Sequence, residues 1–574
     1  MRLVAQRKRT QTAAQSLGRL PDSAPGATRA GTHAQRPPSL PIHTPTRTIA
    51  AARVVAFTDL VYDAGVEVAA AKPSAITAAA AGRPATPGSG RLVRNVLVLA
   101  GGQLASWLFG LCWTLVVPRR LGPAAMGEFV IAISTAAVLG IIVSQGASPL
   151  LTRDIARDNS KASELVGGAI VMRLAITVPA CVGMLIYIHV VGFGADRALL
   201  IWLATALFIT AAVSSAFEAT FSGLERMEYL AYAGLVGNGL ASLLGIALVL
   251  LGGRVVAVMV LNLSLTVLVL ALNVYWARRV FAIAWRGATR VVPHLLRAGF
   301  SFWIGGLFFT GYLWIDSILL SILVPARVVG WYGVPTQLFV AILMVVGVMG
   351  TAWFPRFAAA YIAGGDSLRR SARPAVEAAV VLSLPLAVGT ALVAAPLVAL
   401  LYGNGFAGAV PVLTILGACI VPTFLNMMAY QILQAEGRQV SWFKVIAIAT
   451  ALNVAANLVL IPHFQAQGNG AVGAALSLLG TEVFELVAAI VLLPWLLSAA
   501  LLGRSARAAA ATGLMAASVF AVSPAGLFAE VAAGLATFGI FALILRVPTS
   551  SELALLRGFG ARLRSRLMPP ATTP

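Results

Sequence analysis

The amino-acid sequence predicts an all-α polytopic membrane protein with about fourteen transmembrane helices. The chain of 574 residues is 59% hydrophobic and only 11% charged, whereas soluble domains carry about 25% charged residues. From about residue 94, apolar runs of 18–28 residues alternate with short polar breaks. A helix of about 20 apolar residues is long enough to cross a bilayer. Basic residues are concentrated in alternate breaks, as the cytoplasmic loops of a membrane protein require.

The apolar runs predict the helices one by one. The first six lie near 94–117, 125–148, 165–190, 196–221, 229–252 and 254–277. Six more lie near 296–322, 328–352, 375–402, 409–433, 440–461 and 469–495, and the last two near 505–522 and 527–545.

Orientation follows from the distribution of Lys and Arg. With the N-terminus inside, seventeen basic residues fall in cytoplasmic loops, and five fall in outer loops: Arg119, Arg120, Arg197, Arg254 and Arg327. This bias predicts a cell (plasma) membrane protein with both termini in the cytoplasm. It also accounts for the net charge of +21 without nucleic acid as a partner, since the chain has no nucleic-acid-binding motif.

The chain is predicted to consist of five regions. Residues 1–90 are rich in Arg, Ala, Pro and Thr and lack an 18-residue apolar run, which predicts a disordered basic cytoplasmic extension without a signal peptide. Residues 91–290 and 291–500 are predicted to form an N-terminal and a C-terminal six-helix lobe. Residues 501–546 add two transmembrane helices, and 547–574 form a basic cytoplasmic tail.

An internal repeat supports the two-lobe prediction. Gly127 and Phe129 follow the first helix, and Gly330 and Tyr332 stand 203 residues later in the same relation to the seventh. Because each unit has an even number of helices, the two lobes are expected to be parallel repeats about an axis along the membrane normal.

Polar residues inside the helices are the candidate site residues, because each is costly in lipid unless it faces protein or water. Phe309, Tyr312 and Asp316 share one stripe of the helix near 296–322. Asp316 is interpreted either as a structural partner of a neighbouring donor or as a cavity carboxylate that binds a cation, a proton or sugar hydroxyls. Glu482 and Glu485 share one helix face, either as an intrahelical contact or as a cavity lining.

The other polar positions each have two interpretations. Gln103 shares a face with Ser106 and Gly110, as a packing seam or as a cavity lining. Arg173 lies about 12 Å into its helix at 1.5 Å per residue, where it either snorkels to the cytoplasmic surface or meets a phosphate. Glu218 is expected to pair with Arg173 or Arg226. Four amides are expected mainly to pack: Gln145, Gln337, Asn426 and Gln431.

Catalytic and cofactor motifs are not found in the sequence. It has no GxxxxGK[ST] motif for ATP, no HExxH and no Cys/His cluster. We therefore predict no enzyme activity, no catalytic residues, no metal site and no cofactor.

Several segments resemble one family. The segments 94-RNVLVLAGGQLASWLFGLCWTLVVPRRLGPAAMGEFVIA-132 and 312-YLWIDSILLS-321, together with 433–475, are similar to the oligosaccharide (O-antigen type) flippases. These belong to the multidrug/oligosaccharidyl-lipid/polysaccharide exporter superfamily. Asp316 stands at the aspartate of the family's R-I-D-x-I-L-L pattern, with Trp314 where an Arg is common. The resemblance spans roughly 94–500.

The resemblance implies a transporter that flips polyprenyl-diphosphate-linked oligosaccharide from the inner to the outer leaflet by alternating access. Family cavities are typically cationic, and the basic candidates nearest the inner cavity mouth are Arg94, Arg153, Arg173 and Arg297. This chain departs from the family in carrying mainly acidic residues at membrane depth: Asp316, Glu482 and Glu485. The implied partners are the lipid-linked oligosaccharide, membrane lipid, and the glycosyltransferases and polymerase of a polysaccharide pathway.

Three alternatives remain open from the sequence. A drug/cation antiporter of the same superfamily would share the fold. A membrane polysaccharide polymerase or ligase would need a large outer catalytic loop, whereas the longest polar insert, 278–297, is predicted to be cytoplasmic. A scaffold for polysaccharide enzymes would fit the basic N-terminal extension.

Overall fold

The computed structural model describes residues 89–549, apart from 145 and 497, together with Glu552 and Leu553. Side chains are described from Phe109 onward, apart from positions 145, 301, 305, 309, 365 and 497. Within these residues the chain is helical almost throughout and contains no strand. The extension predicted for 1–90 and the tail predicted for 547–574 lie almost entirely outside the described residues, so both stay predictions.

The described residues form sixteen α-helices. In chain order they are α1 Ser89–Ser144, α2 Ala147–Arg157, α3 Ala162–Val191, α4 Ala195–Gly223, α5 Met227–Gly234, α6 Ala241–Leu250, α7 Val255–Val280 and α8 Ala288–Leu323. They continue with α9 Ala326–Ile362, α10 Gly365–Leu392, α11 Ala394–Tyr402, α12 Ala409–Ala435, α13 Gln439–Ala466, α14 Gly470–Leu492, α15 Ala499–Val522 and α16 Leu527–Ile544. A π-helical turn, Leu235–Leu240, joins α5 to α6.

The polytopic fold predicted from the sequence is confirmed. Among the described residues, thirteen helical segments are long and apolar enough to cross a membrane. The first, Phe109–Arg157, includes the end of the helix predicted near 94–117 and all of the helix predicted near 125–148. They are the two arms of α1, which changes direction at Gly122, where the backbone lies at φ 79° and ψ 168° beside Pro123. Glycine tolerates this positive φ, so two helical arms meet at a kink at Gly122.

The helices pack into a continuous bundle. α1 contacts α4, α6 and α9, while α12 contacts α9, α10 and α14. α15 and α16 pair with each other, and α15 lies against α10. α8 contacts α1 and α3 as well as α13, so it touches helices of both predicted lobes. The division into two six-helix lobes stays a prediction.

The two glycines of the predicted repeat pack against the opposite helix. A Cβ at Gly127 of α1 would lie 1.7 Å from the carbonyl oxygen of Ala326, and one at Gly330 of α9 would lie 2.0 Å from that of Pro123. Only glycine permits such a close backbone approach. The turns that repeat in sequence therefore form one contact between α1 and α9, at the end that the charge distribution predicts to be outer.

The same face of α9 is exposed further along the helix. Gly330, Gly333 and Gln337 face α1: a Cβ at Gly333 would lie 2.6 Å from Val130, and the Gln337 side-chain oxygen is 3.4 Å from the Thr114 hydroxyl. Steps of three and four residues continue this face to Ala341, Val345, Val348 and Ala352, all of which are exposed. The two helices thus contact at one end of α9 and separate toward the other.

Candidate functional site

Asp316 is buried inside the bundle with two hydrogen-bond donors. Its side chain on α8 is 3% exposed. The Tyr332 hydroxyl of α9 donates to Oδ2 at 2.6 Å, and the Asn457 amide of α13 donates to Oδ1 at 2.6 Å. These partners explain why the aspartate is tolerated in an apolar helix, since a buried carboxylate requires hydrogen bonds to both oxygens.

Glu482 of α14 is held in a similar way. The Tyr312 hydroxyl donates to its Oε1 at 2.8 Å, and the Asn426 amide of α12 donates to its Oε2 at 2.9 Å. Tyr312 stands one helical turn before Asp316 on α8. Glu485, three residues further along α14, is 5% exposed, and its Oε1 has no hydrogen-bond partner among the described residues.

A chain of amides connects these carboxylates. The Asn457 amide also donates to Asn453 Oδ1 at 2.8 Å, and the Asn453 amide lies 3.4 Å from the Thr481 hydroxyl, next to Glu482 in sequence. We call this group the acidic network: Tyr312, Asp316, Tyr332, Asn426, Asn453, Asn457, Thr481, Glu482 and Glu485. It joins α8, α9, α12, α13 and α14.

The acidic network lacks a basic counter-charge in the described part of the chain. No Lys or Arg there forms an ion pair with Asp316, Glu482 or Glu485. The three carboxylates also do not converge as a metal-binding group within those residues. Since an isolated buried anion is unstable, the stabilising contacts of Asp316 and Glu482 in the described residues are their hydroxyl and amide donors.

Arg173 is enclosed by protein, so the snorkelling interpretation is wrong. The side chain is fully buried, and its guanidinium donates to the Ala212 carbonyl and, at 2.9 Å, to the Ser148 hydroxyl. Its Nε has no partner among the described residues. In this conformation Arg173 links α3 to α2 and α4. A phosphate contact would require these helices to separate, and it stays a prediction.

Glu218 forms hydrogen bonds where ion pairs were expected. The Asn273 amide of α7 donates to its Oε1 at 3.2 Å and to the Ser214 hydroxyl at 2.8 Å. Arg226 instead pairs with Glu228 at 3.4 Å. The expected ion pairs of Glu218 with Arg173 or Arg226 do not form, and its Oε1 accepts instead from Asn273 and, at 3.2 Å, from Ser214.

Two of the other basic candidates lie near one another. Arg153 of α2 pairs with Asp154 at 2.8 Å, and His294 of α8 lies 3.2 Å from the same carboxylate. Arg297 stands one turn beyond His294 and is exposed. The structure therefore brings Arg153 and Arg297 to the same end of the bundle. Arg94 and Gln103 lie in α1 before the described side chains, and their roles stay predictions.

The comparisons with known proteins agree on a transporter fold. Residues 92–360 match the polysaccharide biosynthesis protein family. The chain is 25% identical over 414 residues to the probable flippase AglR of Haloferax volcanii. The matched residues cover 70% of this chain and 84% of AglR.

Two solved structures share the architecture. The lipid II flippase MurJ in an inward closed conformation superposes with a TM-score of 0.63 at 12% identity, over 78% of this chain and 99% of MurJ. An inward-facing MATE family transporter of the MOP superfamily gives 0.54 at 20% identity, over 68% of this chain and 93% of the transporter. The two structures show the fold. The resemblance to polysaccharide flippases predicted from the sequence is confirmed by the family match and by AglR.

The flippase-like chain is a multi-pass membrane protein whose relatives are flippases and transporters. Its acidic network was only partly predictable from the sequence. Polar residues in apolar helices stand out in the sequence, as Asp316, Glu482, Glu485 and Tyr312 do. Tyr332 was missed as a site residue, because a tyrosine at that position is also consistent with ordinary packing. Asn453 and Asn457 could have been found from their four-residue spacing, since it places both amides on one face of α13.

Proposed function

We propose that this protein flips a polyprenyl-diphosphate-linked oligosaccharide from the inner to the outer leaflet by alternating access. The observation that carries the proposal is the divided face of α9. Packed against α1 through Gly330 and exposed from Ala341 to Ala352, this face allows a cavity to open at one end of the bundle while the other end is closed. A transporter with a central substrate site requires such an arrangement.

The acidic network is proposed to sense a coupling ion. Asp316 and Glu482 have amide and hydroxyl donors, and none of the three carboxylates has a Lys or Arg in ion-pair contact within the described residues. Gain or loss of a proton or cation would change the hydrogen bonds that these oxygens accept. Because five helices contribute to the network, such a change would affect the packing among them. An ion could thereby bias two arrangements of the bundle, provided it binds one more tightly than the other.

Basic residues are proposed to receive the diphosphate. Arg153 and Arg297 lie at the end that the charge distribution predicts to be cytoplasmic, and both are exposed. Arginine suits phosphate because its guanidinium offers paired donors. Arg94 and Arg173 are further candidates if the cavity reaches them in another conformation. The lipid-linked sugar would come from glycosyltransferases on the inner face and pass to a polymerase on the outer face.

The test is leaflet-specific translocation of a polyprenyl-diphosphate oligosaccharide in proteoliposomes, read by an enzyme that reaches only outer-leaflet sugar. We expect transport by the wild type and a clear reduction in Asp316→Asn. Asp366→Asn is the matched control, because the Asp366 side chain is 90% exposed in a loop-proximal turn.

A drug/cation antiporter is the second candidate, favoured by the acidic network and the MATE-like fold. Drug or cation exchange without translocation of several sugar lipids would move the assignment to that function. Normal sugar-lipid transport by Asp316→Asn would instead limit Asp316 to a structural role.

A further inference from the structure

A cavity separate from the acidic network lies between α10 and the start of α15. It encloses about 180 Å³ and is lined by three arginines of α10, Arg369, Arg370 and Arg373, with Trp495 and Ser498 on the opposite side. The arginines stand within five residues of one another, on about one turn of the helix. The charge distribution predicts this end of α10 to be cytoplasmic, at the membrane surface.

The arginines of this cavity have unused donors. Arg373 donates through Nε to Glu377 at 2.8 Å, and Arg370 donates through Nε to the Asp366 carbonyl at 3.3 Å. The terminal nitrogens of Arg370 and Arg373 have no hydrogen-bond partner in the described part of the chain, although each guanidinium offers five N–H donors. Arg369 is 60% exposed, and its Nη1 lies 3.8 Å from Asp366 Oδ1. This distance is too long for a hydrogen bond, so the exposed pair does not fix the Arg369 side chain.

The single carboxylate that lines the cavity is already neutralised. Glu377 accepts from Arg373 on Oε1 and from Arg504 of α15 on Oε2, at 2.8 and 2.9 Å. Arg504 is buried and is fixed further by the Val547 carbonyl at 2.9 Å and by Glu552 at 2.5 Å. Three arginines therefore face a cavity whose lining holds no free carboxylate, and Asp366 lies outside that lining, 3.8 Å from Arg369.

The opposite wall suits a lipid better than a free ion. Trp495, Leu496 and Leu501 give it an apolar surface. Ser498 caps α15 by accepting from the Leu501 amide at 3.3 Å, so the positive end of a 24-residue helix points to the same place. A site with basic residues on one side and apolar residues on the other, at the membrane surface, matches a lipid phosphate and the first carbons beneath it.

We propose that this cavity binds the phosphate of an anionic membrane lipid and so supports the contact of α15 with α10. The proposal is independent of the transported substrate. Its ligand is a phosphodiester headgroup such as that of phosphatidylglycerol, held by the terminal nitrogens of Arg370 and Arg373 with Arg369 at the rim.

The test is native mass spectrometry of the delipidated full chain titrated with phosphatidylglycerol, with phosphatidylcholine, which is zwitterionic and has no net charge, as the comparison. In Arg369→Gln/Arg370→Gln, which keeps the Glu377–Arg373–Arg504 group, affinity for phosphatidylglycerol should fall about fivefold for each arginine removed. The control, Arg286→Gln/Arg290→Gln, removes two exposed arginines outside the cavity and should bind as the wild type. Arg370→Lys keeps the charge but loses the paired donors, so its affinity should be intermediate.

Thermal unfolding gives a second measure, because a lipid that binds only the folded state raises the melting temperature. Phosphatidylglycerol should raise it in the wild type and in the control variant, and less in Arg369→Gln/Arg370→Gln. Equal affinity in the wild type and that double variant would overturn the site. Displacement of the lipid by an equal concentration of inorganic phosphate would overturn a lipid as its source and assign the cavity to free phosphate.

Discussion

Asp316 shows how a single charged residue is accommodated at membrane depth. Both of its oxygens accept short hydrogen bonds, one from Tyr332 and one from Asn457. Each donor belongs to a different helix, so the residue serves as a junction between α8, α9 and α13. Its burial leaves no direct path to a sugar in this conformation, which favours a coupling role over direct substrate contact.

At this scale we predict that Tyr332→Phe destabilises the protein. The substitution keeps the ring but removes the hydroxyl that donates to Asp316 Oδ2. A buried carboxylate oxygen then loses its hydrogen bond, which lowers the free energy of unfolding by about 1–3 kcal/mol. Unfolding in detergent, followed by the melting temperature, should show the loss.

The matched control for Tyr332→Phe is Tyr361→Phe. Tyr361 lies on the same helix and is 47% exposed, and its hydroxyl has no hydrogen-bond partner among the described residues. Its melting temperature should equal that of the wild type. An unchanged melting temperature in Tyr332→Phe would mean that the bond to Asp316 contributes nothing to stability.

At the scale of helices, α1 and α9 are the pair that defines the closed end. Their contact depends on backbone approaching backbone at Gly127 and Gly330, whereas their separation further along leaves one face of α9 exposed. Closure at this end is therefore set by residue size rather than by charge.

We predict that Gly330→Val opens this contact. A Cβ there would lie 2.0 Å from the Pro123 carbonyl oxygen, so α1 and α9 cannot keep their present distance. In a background without native cysteines, a cysteine at Val334, which is fully buried at the contact, should react severalfold faster with a membrane-impermeant maleimide added from outside.

Gly347→Val is the control on the same helix, because a Cβ at Gly347 meets no atom within 4 Å. It should leave the reactivity at Val334→Cys unchanged. Protection of that cysteine to the same degree in Gly330→Val would show that the glycine contact does not hold this end closed.

At the scale of the whole molecule, α9 belongs both to the acidic network and to the contact with α1 at Gly330. The acidic network lies among α8, α9, α12, α13 and α14, and α9 also forms one side of the contact with α1. Tyr332, which donates to Asp316, and Gly330, which packs against α1, are two residues apart on α9. We therefore expect a change at the network to affect this contact.

We predict opposite accessibility at the two ends of α9. Val348→Cys, on a side chain that is 51% exposed, should react with an impermeant maleimide from the inner side, while Val334→Cys should remain protected. Adding the lipid-linked oligosaccharide, or changing the coupling ion, should lower the first rate and raise the second.

Equal reactivity of the two cysteines from one side, with no response to any substrate, would contradict alternating access about this contact. Inverted vesicles provide the control for orientation. They should exchange the inner and outer labelling patterns if the predicted cytoplasmic location of the loops is correct.

The sequence by itself determined the helices and their class. A run of 18–28 apolar residues can satisfy its backbone in a bilayer only as a helix, so composition alone places each span. The repeat of Gly127 and Gly330 was also visible in the sequence, because glycines at turns form a local pattern. Asp316, Glu482 and Glu485 stood out because a charge in an apolar helix is costly anywhere.

Only the tertiary structure decided which partners those residues have. Asn457 lies 141 residues from Asp316 and Asn426 lies 56 residues from Glu482, so no local pattern could pair them. The sequence predicted that Arg173 could reach the cytoplasmic surface, because the helical rise gives only its depth along the helix. The packing of α2, α3 and α4 encloses the side chain, and the sequence does not show this packing. Partners across a bundle are set by which helix faces meet, and that information is distributed over the whole chain.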